Sequence, residues 1–261
     1  RIKTKLLKNL IGDDFNKIDF IKGDITDFEG VLKATKDMDY ILNLAGLMTP
    51  DCSSNPFLGL EVNVKGSINV FEAIKRNNIK FLIYTSSGGV YGNEDKYNPF
   101  PETHYGAFKL AVEGIARAYF NESLISSVGL RPFVIYGPGR EIGGTAGVTL
   151  DCKSAKQNLK YTVGFSGKAG FVYVEDVTNL VERLIDKSPV GALTINVNGI
   201  TASVEDFLSI IKKNIPDAKV TLNGKPISVV EEILGGEPSK IFKDFKYTSL
   251  DHGINKTINF Y

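Results

Sequence analysis

Short apolar runs alternate with amphipathic segments along the first half of the chain, and this rhythm restricts the possible folds more than any other feature. Ile18–Ile21, Tyr40–Leu42, Lys80–Tyr84 and Ile125–Tyr136 read as strands. Between them lie helical patterns. Phe28, Val31 and Leu32 mark one helix, and Leu60, Val64, Val70, Phe71 and Ile74 face inward on a long one from about Phe57 to Asn77. A third runs from Tyr105 to about Phe120. Strand–helix–strand order predicts an α/β fold, a doubly wound parallel sheet with helices on both faces. Such sheets bind ligands at the carboxyl ends of their strands, where Lys80–Tyr84 delivers Thr85-Ser86-Ser87.

Tyr105 and Lys109 are four residues apart, so on a helix they sit one above the other. An unperturbed tyrosine titrates near ~10, and bringing it to ~7 takes about 4 kcal/mol. One cation at ~5 Å in a partly buried cleft supplies about 3 kcal/mol. The expectation is that Lys109 lowers the Tyr105 pKa, with a second positive charge completing the shift. An oxidised nicotinamide ring is such a charge. Together with a hydroxyl holding the reacting oxygen, the pair suits proton transfer coupled to hydride transfer by a cofactor.

Bulk composition narrows the alternatives. A chain of 261 residues, 43% hydrophobic and 23% charged, is that of an ordinary globular protein. Its formal net charge of +1 gives no footprint for nucleic acid or a membrane surface. Cys52 and Cys152 have no metal or disulfide spacing and read as reduced thiols of a cytoplasmic protein. Two histidines, His104 and His252, do not make a metal site, so no metal is expected. There is no apolar run long enough for a membrane span.

A series of motifs runs in order: Gly23-Asp24-Ile25-Thr26-Asp27, Asn43-Leu44-Ala45-Gly46, Asn63-Val64-x-Gly66, Thr85-Ser86-Ser87-Gly-Gly-Val90-Tyr91-Gly92, Tyr105 to Lys109, Leu130-Arg131-Pro132, Tyr136-Gly137-Pro138-Gly139, and Phe171 to Val177. In this the chain resembles the extended short-chain dehydrogenase/reductase family, the NAD-dependent epimerase/dehydratase group. The resemblance implies a Rossmann-like sheet with a small C-terminal substrate lobe. Residues 1–146 would form the NAD(P)-binding domain. Residues 147–261 would be mainly the lobe, returning to the sheet near 171–197. It further implies NAD or NADP as cofactor, a sugar or nucleotide sugar as substrate, and a homodimer built on the Phe57–Asn77 and Tyr105–Phe120 helices.

Roles carried over from the family give Tyr105 as general acid/base, Lys109 as its tuner and a ribose contact, and Ser87 as the hydroxyl that donates to the carbonyl oxygen. Asp24 and Ile25 resemble the adenine contacts, although an Asp after a strand is also a common turn former. Leu44, Ala45 and Gly46 resemble the segment under the ribose and diphosphate. Asn63 and Pro132 match positions near the nicotinamide, and a buried Asn bonded to backbone explains Asn63 equally well. Tyr84 and Tyr91 read as packing residues.

Departures from the family pattern bear on the substrate. Dehydratases place Asp-Glu after the hydroxyl; here Gly88-Gly89 hold no acid, which disfavours dehydration. Sugar-nucleotide epimerases carry Asn where this chain has Val134, and a diphosphate-binding Arg where it has Ala169. Lys168 and Arg140 are possible replacements, and Ser86 is a further substrate-side candidate. The leading reading is an NAD(P)-dependent epimerase or oxidoreductase acting at a secondary alcohol or ketone. A dehydrogenase of a non-nucleotide hydroxy or keto substrate, and a non-catalytic dinucleotide sensor, stand as alternatives.

The family's opening strand, glycine-rich turn, helix and second strand have no counterpart here, so about one further strand–helix–strand unit is expected upstream. Without it, Ile18–Ile21 would lie about 14 Å, three strand spacings, from its nearest neighbour in the sheet. The residue that selects NAD or NADP closes that missing second strand, with Arg1 just past it. Downstream, the Thr49–Pro56 stretch reads as a turn-rich loop and Gly137–Gly147 as a flexible one. Beyond them the pattern predicts helices near Val148–Asn158, from Glu175 and after the capping hydroxyl of Ser203, with strands near Tyr161, Phe171 and Leu193–Val197.

Overall fold

A computed structural model describes residues 7–8, 11–227 and 230–261. The expectation for Arg1 lies outside the described residues. In chain order the main elements are α1 (Phe28–Ala34), β1 (Tyr40–Asn43), α2 (Thr49–Ser54), α3 (Pro56–Leu60), a π-helical stretch Glu61–Lys65, α4 (Gly66–Asn77), β2 (Phe81–Thr85), α5 (His104–Ser123), β3 (Ser127–Pro132) and β4 (Val134–Tyr136). There follow α6 (Gly147–Lys156), β5 (Tyr161–Val163), β6 (Lys168–Tyr173), α7 (Val174–Lys187), β7 (Ala192–Val197), β8 (Ile200–Ser203), α8 (Val204–Asn214), β9 (Val220–Leu222) and α9 (Leu250–Phe260).

The central sheet has the order β1-β2-β3-β7 and is parallel throughout. Strand alternation gives each face its own core. Phe81 and Ile83 of β2 join Val128, Leu130, Ile195 and Val197 against Leu180 and Leu184 of α7. Leu82 and Tyr84 point the other way, onto Val70, Phe71 and Ile74 of α4 and Val112 and Ala116 of α5. Gly129 leaves room for this packing, since a Cβ there would stand 2.6 Å from the Tyr84 ring. The expected doubly wound parallel sheet is the observed one.

A second sheet, β4-β6-β8, and a two-stranded pair, β5-β9, are built from the later part of the chain. Their core holds Tyr136, Phe171, Tyr173 and Phe207, with Val148 and Cys152 of α6 and Ile254 of α9. Ser203 caps α8 as its position predicts: its Oγ accepts from the Asp206 N–H at 3.0 Å, and Asp206 Oδ2 accepts from the Ser203 N–H at 3.0 Å.

Four local expectations change. Ile18–Ile21 forms no strand among the described residues; Ile18 and Ile21 are 43% and 69% exposed, and no neighbouring ladder beyond β1 is there to receive them. The Thr49–Pro56 stretch contains α2, whose first turn Pro50 suits. The long helix is not uniformly α, because the π-helical stretch around Asn63 interrupts it. Ile125–Tyr136 is two strands in two sheets. Pro132 closes β3, Phe133 still donates its N–H to the Val197 carbonyl at 3.2 Å, and the chain then crosses to the second sheet.

Among the described residues, one buried acid has no hydrogen-bond partner. Both carboxylate oxygens of Asp151 on α6 are buried without a hydrogen bond, and burial pushes its pKa up to about 8. The unfolded chain releases this proton near ~3.9, so the residue's contribution to stability falls as pH rises from about 4 to about 8. Urea unfolding of Asp151→Asn across that window is expected to lack this decline, leaving the variant about 3–4 kcal/mol better relative to wild type at pH 8 than at pH 5. An unchanged pH slope would show that Asp151 ionises as readily in the folded chain as in the unfolded one.

Candidate active site

β2 ends at Thr85, and the chain turns there into Ser86, Ser87 and a short 3-10 turn, Gly88–Val90. The Ser87 side chain accepts from the Gly89 N–H at 3.0 Å, which fixes its hydroxyl at the sheet rim. α5 begins opposite, capped by Thr103, whose Oγ1 accepts from the Gly106 N–H at 3.0 Å. The helix can come this close because Gly106 has no side chain; a Cβ there would collide with the Gly89 carbonyl.

Tyr105 and Lys109 therefore face Ser87 across a cleft of about 680 Å³. Leu44, Gly46, Met48, Thr85, Ser86, Pro132, Val134 and Arg140 also line it. The Ser87 hydroxyl stabilises the ionised Tyr105 phenol, in opposition to burial. The Lys109 ammonium is buried, donates to the Thr85 carbonyl at 2.7 Å and lies 5.6 Å from the centre of the Tyr105 ring. Burial pushes its pKa down to about 8.

The direction expected for Tyr105 is reversed by these groups. Burial raises the phenol's pKa, and only the Ser87 hydrogen bond and the charge of Arg140 pull it back. Desolvation of the phenolate outweighs one lysine whose ammonium is turned to a backbone carbonyl.

The remaining residues singled out by sequence divide into three groups. Asn63 is structural: its Oδ1 accepts from the Leu47 N–H at 3.0 Å, while its Nδ2 donates to the Leu47 carbonyl at 3.2 Å and sits 3.2 Å from Cys52 Sγ. It thereby shapes the Leu44–Gly46 segment. Gly46 must be glycine, because a Cβ would stand 2.6 Å from Asn63 Oδ1 and 3.4 Å from Lys109 Nζ. Ala45 is exposed beside it and donates its N–H to Asn43 Oδ1 at 3.1 Å.

Asp24 and Ile25 do not line the cleft. Asp24 Oδ1 closes a turn by accepting from the N–H and hydroxyl of Thr26 at 2.9 and 2.8 Å. Ile25 packs over Gly66, and its carbonyl accepts from Asn69 Nδ2 at 2.9 Å. Lys168 is also outside the cleft. It is exposed on β6 opposite Ser203, where its charge acts on Asp206, so Arg140 is the only one of the two replacement cations that reaches the site.

Sequence reasoning missed the assembly beneath the site. Ser86 donates its hydroxyl to Glu113 Oε1 at 2.5 Å, which commits its one donor to the protein. Arg131 of β3 grips the same carboxylate with Nε at 2.8 Å and Nη2 at 2.6 Å. Its Nη1 donates to the Tyr91 hydroxyl at 2.7 Å, and Asn196 Nδ2 donates to that hydroxyl at 3.1 Å. The signal was present: Glu113 follows Lys109 by four residues on the buried stripe of α5, and a buried acid requires a cation.

Residues 3–197 match the family described as the NAD dependent epimerase/dehydratase family. The chain belongs to that family. Among its relatives is a putative UDP-glucose 4-epimerase of Methanocaldococcus jannaschii, 27% identical over 97% of this chain and 88% of the relative. The fold is shared with UDP-glucose 4-epimerase of Thermus thermophilus, solved with NAD, at a TM-score of 0.81 and 20% identity over 98% of this chain and 94% of that one. It is equally shared with L-threonine dehydrogenase of Phytophthora infestans, at a TM-score of 0.81 and 19% identity over 98% and 92%.

In this epimerase/dehydratase-family chain the cleft suits the nicotinamide end of a dinucleotide on physical grounds. The Gly46 backbone approaches closely, Lys109 offers N–H donors, and Pro132 and Phe133 form an apolar wall. No helix among the described residues is long and apolar enough to cross a membrane.

The Glu113–Arg131 pair makes a stability prediction. The Glu113 side chain is fully buried and that of Arg131 is 10% exposed. Glu113→Ala leaves an unpaired buried guanidinium and is expected to cost about 3–5 kcal/mol in urea unfolding. A double replacement, Glu113→Leu with Arg131→Met, is expected to recover much of that loss. Equal destabilisation by both variants would mean that packing, not the stranded charge, sets the cost.

Proposed function

We propose that this protein is an NAD-dependent epimerase acting by hydride transfer at a secondary alcohol of a sugar or nucleotide sugar. The observation that carries the reading is the convergence of Ser87, Tyr105 and Lys109 on one cleft at the carboxyl edge of the parallel sheet. Family membership supports it, as does the epimerase named among the relatives. Tyr105 takes the proton of the substrate hydroxyl and returns it to the same oxygen. Ser87 donates to that oxygen while it has carbonyl character. Lys109, anchored by the Thr85 carbonyl, holds the cofactor ribose and places a positive charge under the phenol. Bound NAD would supply the hydride acceptor and the second cation. Gly88 and Gly89 provide no acid for elimination, so the hydroxyl is retained.

On this reading Leu44, Ala45 and Gly46 pass under the cofactor's diphosphate, with Pro132 beside the nicotinamide. Asp24 and Ile25 meet the adenine, for which Asp24 is suitably exposed. Residues 147–261 serve mainly as the substrate lobe over the 1–146 domain. Exposed Phe57, Leu58 and Leu60 support pairing with a second copy through the Phe57–Asn77 and Tyr105–Phe120 helices, the first of which they open. The two free, buried cysteines suit the cytoplasm.

A second reading, a dehydrogenase of a small non-nucleotide substrate, is favoured by one observation. Val134 and Ala169 stand where a nucleotide sugar would be gripped, and Lys168 turns away.

Tyr105→Phe removes the transferable proton and is expected to lower turnover at least ~100-fold while NAD still binds. Turnover equal to wild type would sink the mechanism. Absorbance of the reduced cofactor during turnover distinguishes the two readings: an epimerase shows no net accumulation, whereas a dehydrogenase forms one reduced cofactor per product.

A further inference from the structure

The loop between β4 and α6 carries one group that the reaction scheme does not use. Arg140 lines the cleft, half-buried, and its charge acts on the Tyr105 phenol. Nη1 donates to the Ile142 carbonyl, the only hydrogen bond that the Arg140 side chain makes among the described residues. Gly143, at φ +109°, leaves the space this requires, for a Cβ there would stand 2.8–2.9 Å from the guanidinium nitrogens and 3.0 Å from Met48 Cε. The guanidinium is thus seated by the loop, with Nε and Nη2 left to bind something else.

No carboxylate of the protein pairs with it among the described residues. Its chain neighbour Glu141 bonds to Lys153 at 3.1 Å and to the Tyr261 hydroxyl at 3.1 Å. Glu102, the acid in the cleft wall, accepts from the backbone N–H and side-chain amide of Asn93 at 3.0 and 3.1 Å. A partly desolvated cation without an anion is costly, and burial already weakens the hold of Arg140 on its proton. An arriving anion offsets that cost and can be gripped by two parallel N–H bonds.

We propose that Arg140 receives a carboxylate carried beside the reacting carbinol, so that the natural substrate is an acid: a uronic-acid sugar or a small hydroxy acid. The inference rests on the reading of Tyr105 as the reacting group. Arg140 and Tyr105 line the same cleft, beside Ser87 and Lys109, which brings the anion to the chamber that holds the reacting groups.

Isothermal titration of the NAD-loaded chain tests this with two matched pairs, UDP-glucuronate against UDP-glucose and L-threonine against L-threoninol. Wild type is expected to prefer the acid in one pair by about tenfold or more. A preference in the first pair identifies a sugar acid, and one in the second a hydroxy acid. Arg140→Gln is expected to abolish the preference with NAD affinity unchanged, and Arg140→Lys, which keeps charge but not the fork, to retain part of it. The proposal is overturned by NAD-loaded wild type showing no preference in either pair, by a preference that survives in Arg140→Gln, or by equal weakening of UDP-glucose and UDP-glucuronate, which assigns Arg140 to the diphosphate. Wild type that binds no NAD defeats the site reading itself, and this inference with it.

Discussion

Two parallel N–H bonds from Arg131 to Glu113 join the helix that carries Tyr105 and Lys109 to the strand beside the one that delivers Ser87. Tyr105, Lys109 and Glu113 recur every four residues, so they form one stripe of α5 turned to the sheet. The outer two thirds of that stripe reach the cleft, and the innermost member is locked to β3. Ser86 donates to the same carboxylate, and its neighbour is Ser87. One buried charge pair thus sets the depth and rotation of the helix relative to the hydroxyl opposite it. Such a pair adds little stability over an apolar core, but its direction admits few alternatives. The Tyr91 hydroxyl and Asn196 take up the remaining donor of Arg131 and extend this frame to β7.

The Leu44–Gly46 side of the cleft is shaped by a different device. Asn63 projects from the π-helical stretch and returns both hydrogen-bonding ends of its amide to the Leu47 backbone. The loop after β1 is drawn inward until Gly46 touches Asn63 and approaches Lys109, where no side chain fits. A residue that resembles a cofactor contact in sequence is thus occupied with holding the loop beside the cleft. Asp24 shows the complementary case, because one of its oxygens is already committed to its own turn.

On the substrate side the distinguishing features are small residues and one cation. Gly88 and Gly89 keep the turn after Ser87 free of acids, and a Cβ at Gly89 would stand 3.3 Å from Ser87 Oγ. Val134 is buried in the cleft wall. Against that apolar background Arg140 is conspicuous, because among the described residues no acid takes up its donors.

Much of the framework was legible in the chain itself. Residue spacing reveals which face is buried, and that is enough for β2, the parallel order, the helices on either side, the Ser203 cap and the stacking of Lys109 on Tyr105. Periodicity does not reveal which distant segment supplies the covering surface or the opposite charge. For that reason the break of the 125–136 run into two sheets, the unpaired state of Ile18–Ile21, the Glu113–Arg131 tie, the upward shift of Tyr105 and the choice of Arg140 over Lys168 were decided only by tertiary structure. Each depends on a neighbour brought close by folding and on how much water is removed when it arrives. Local sequence encodes which side chains are hidden; the assembled chain alone fixes what they are hidden against.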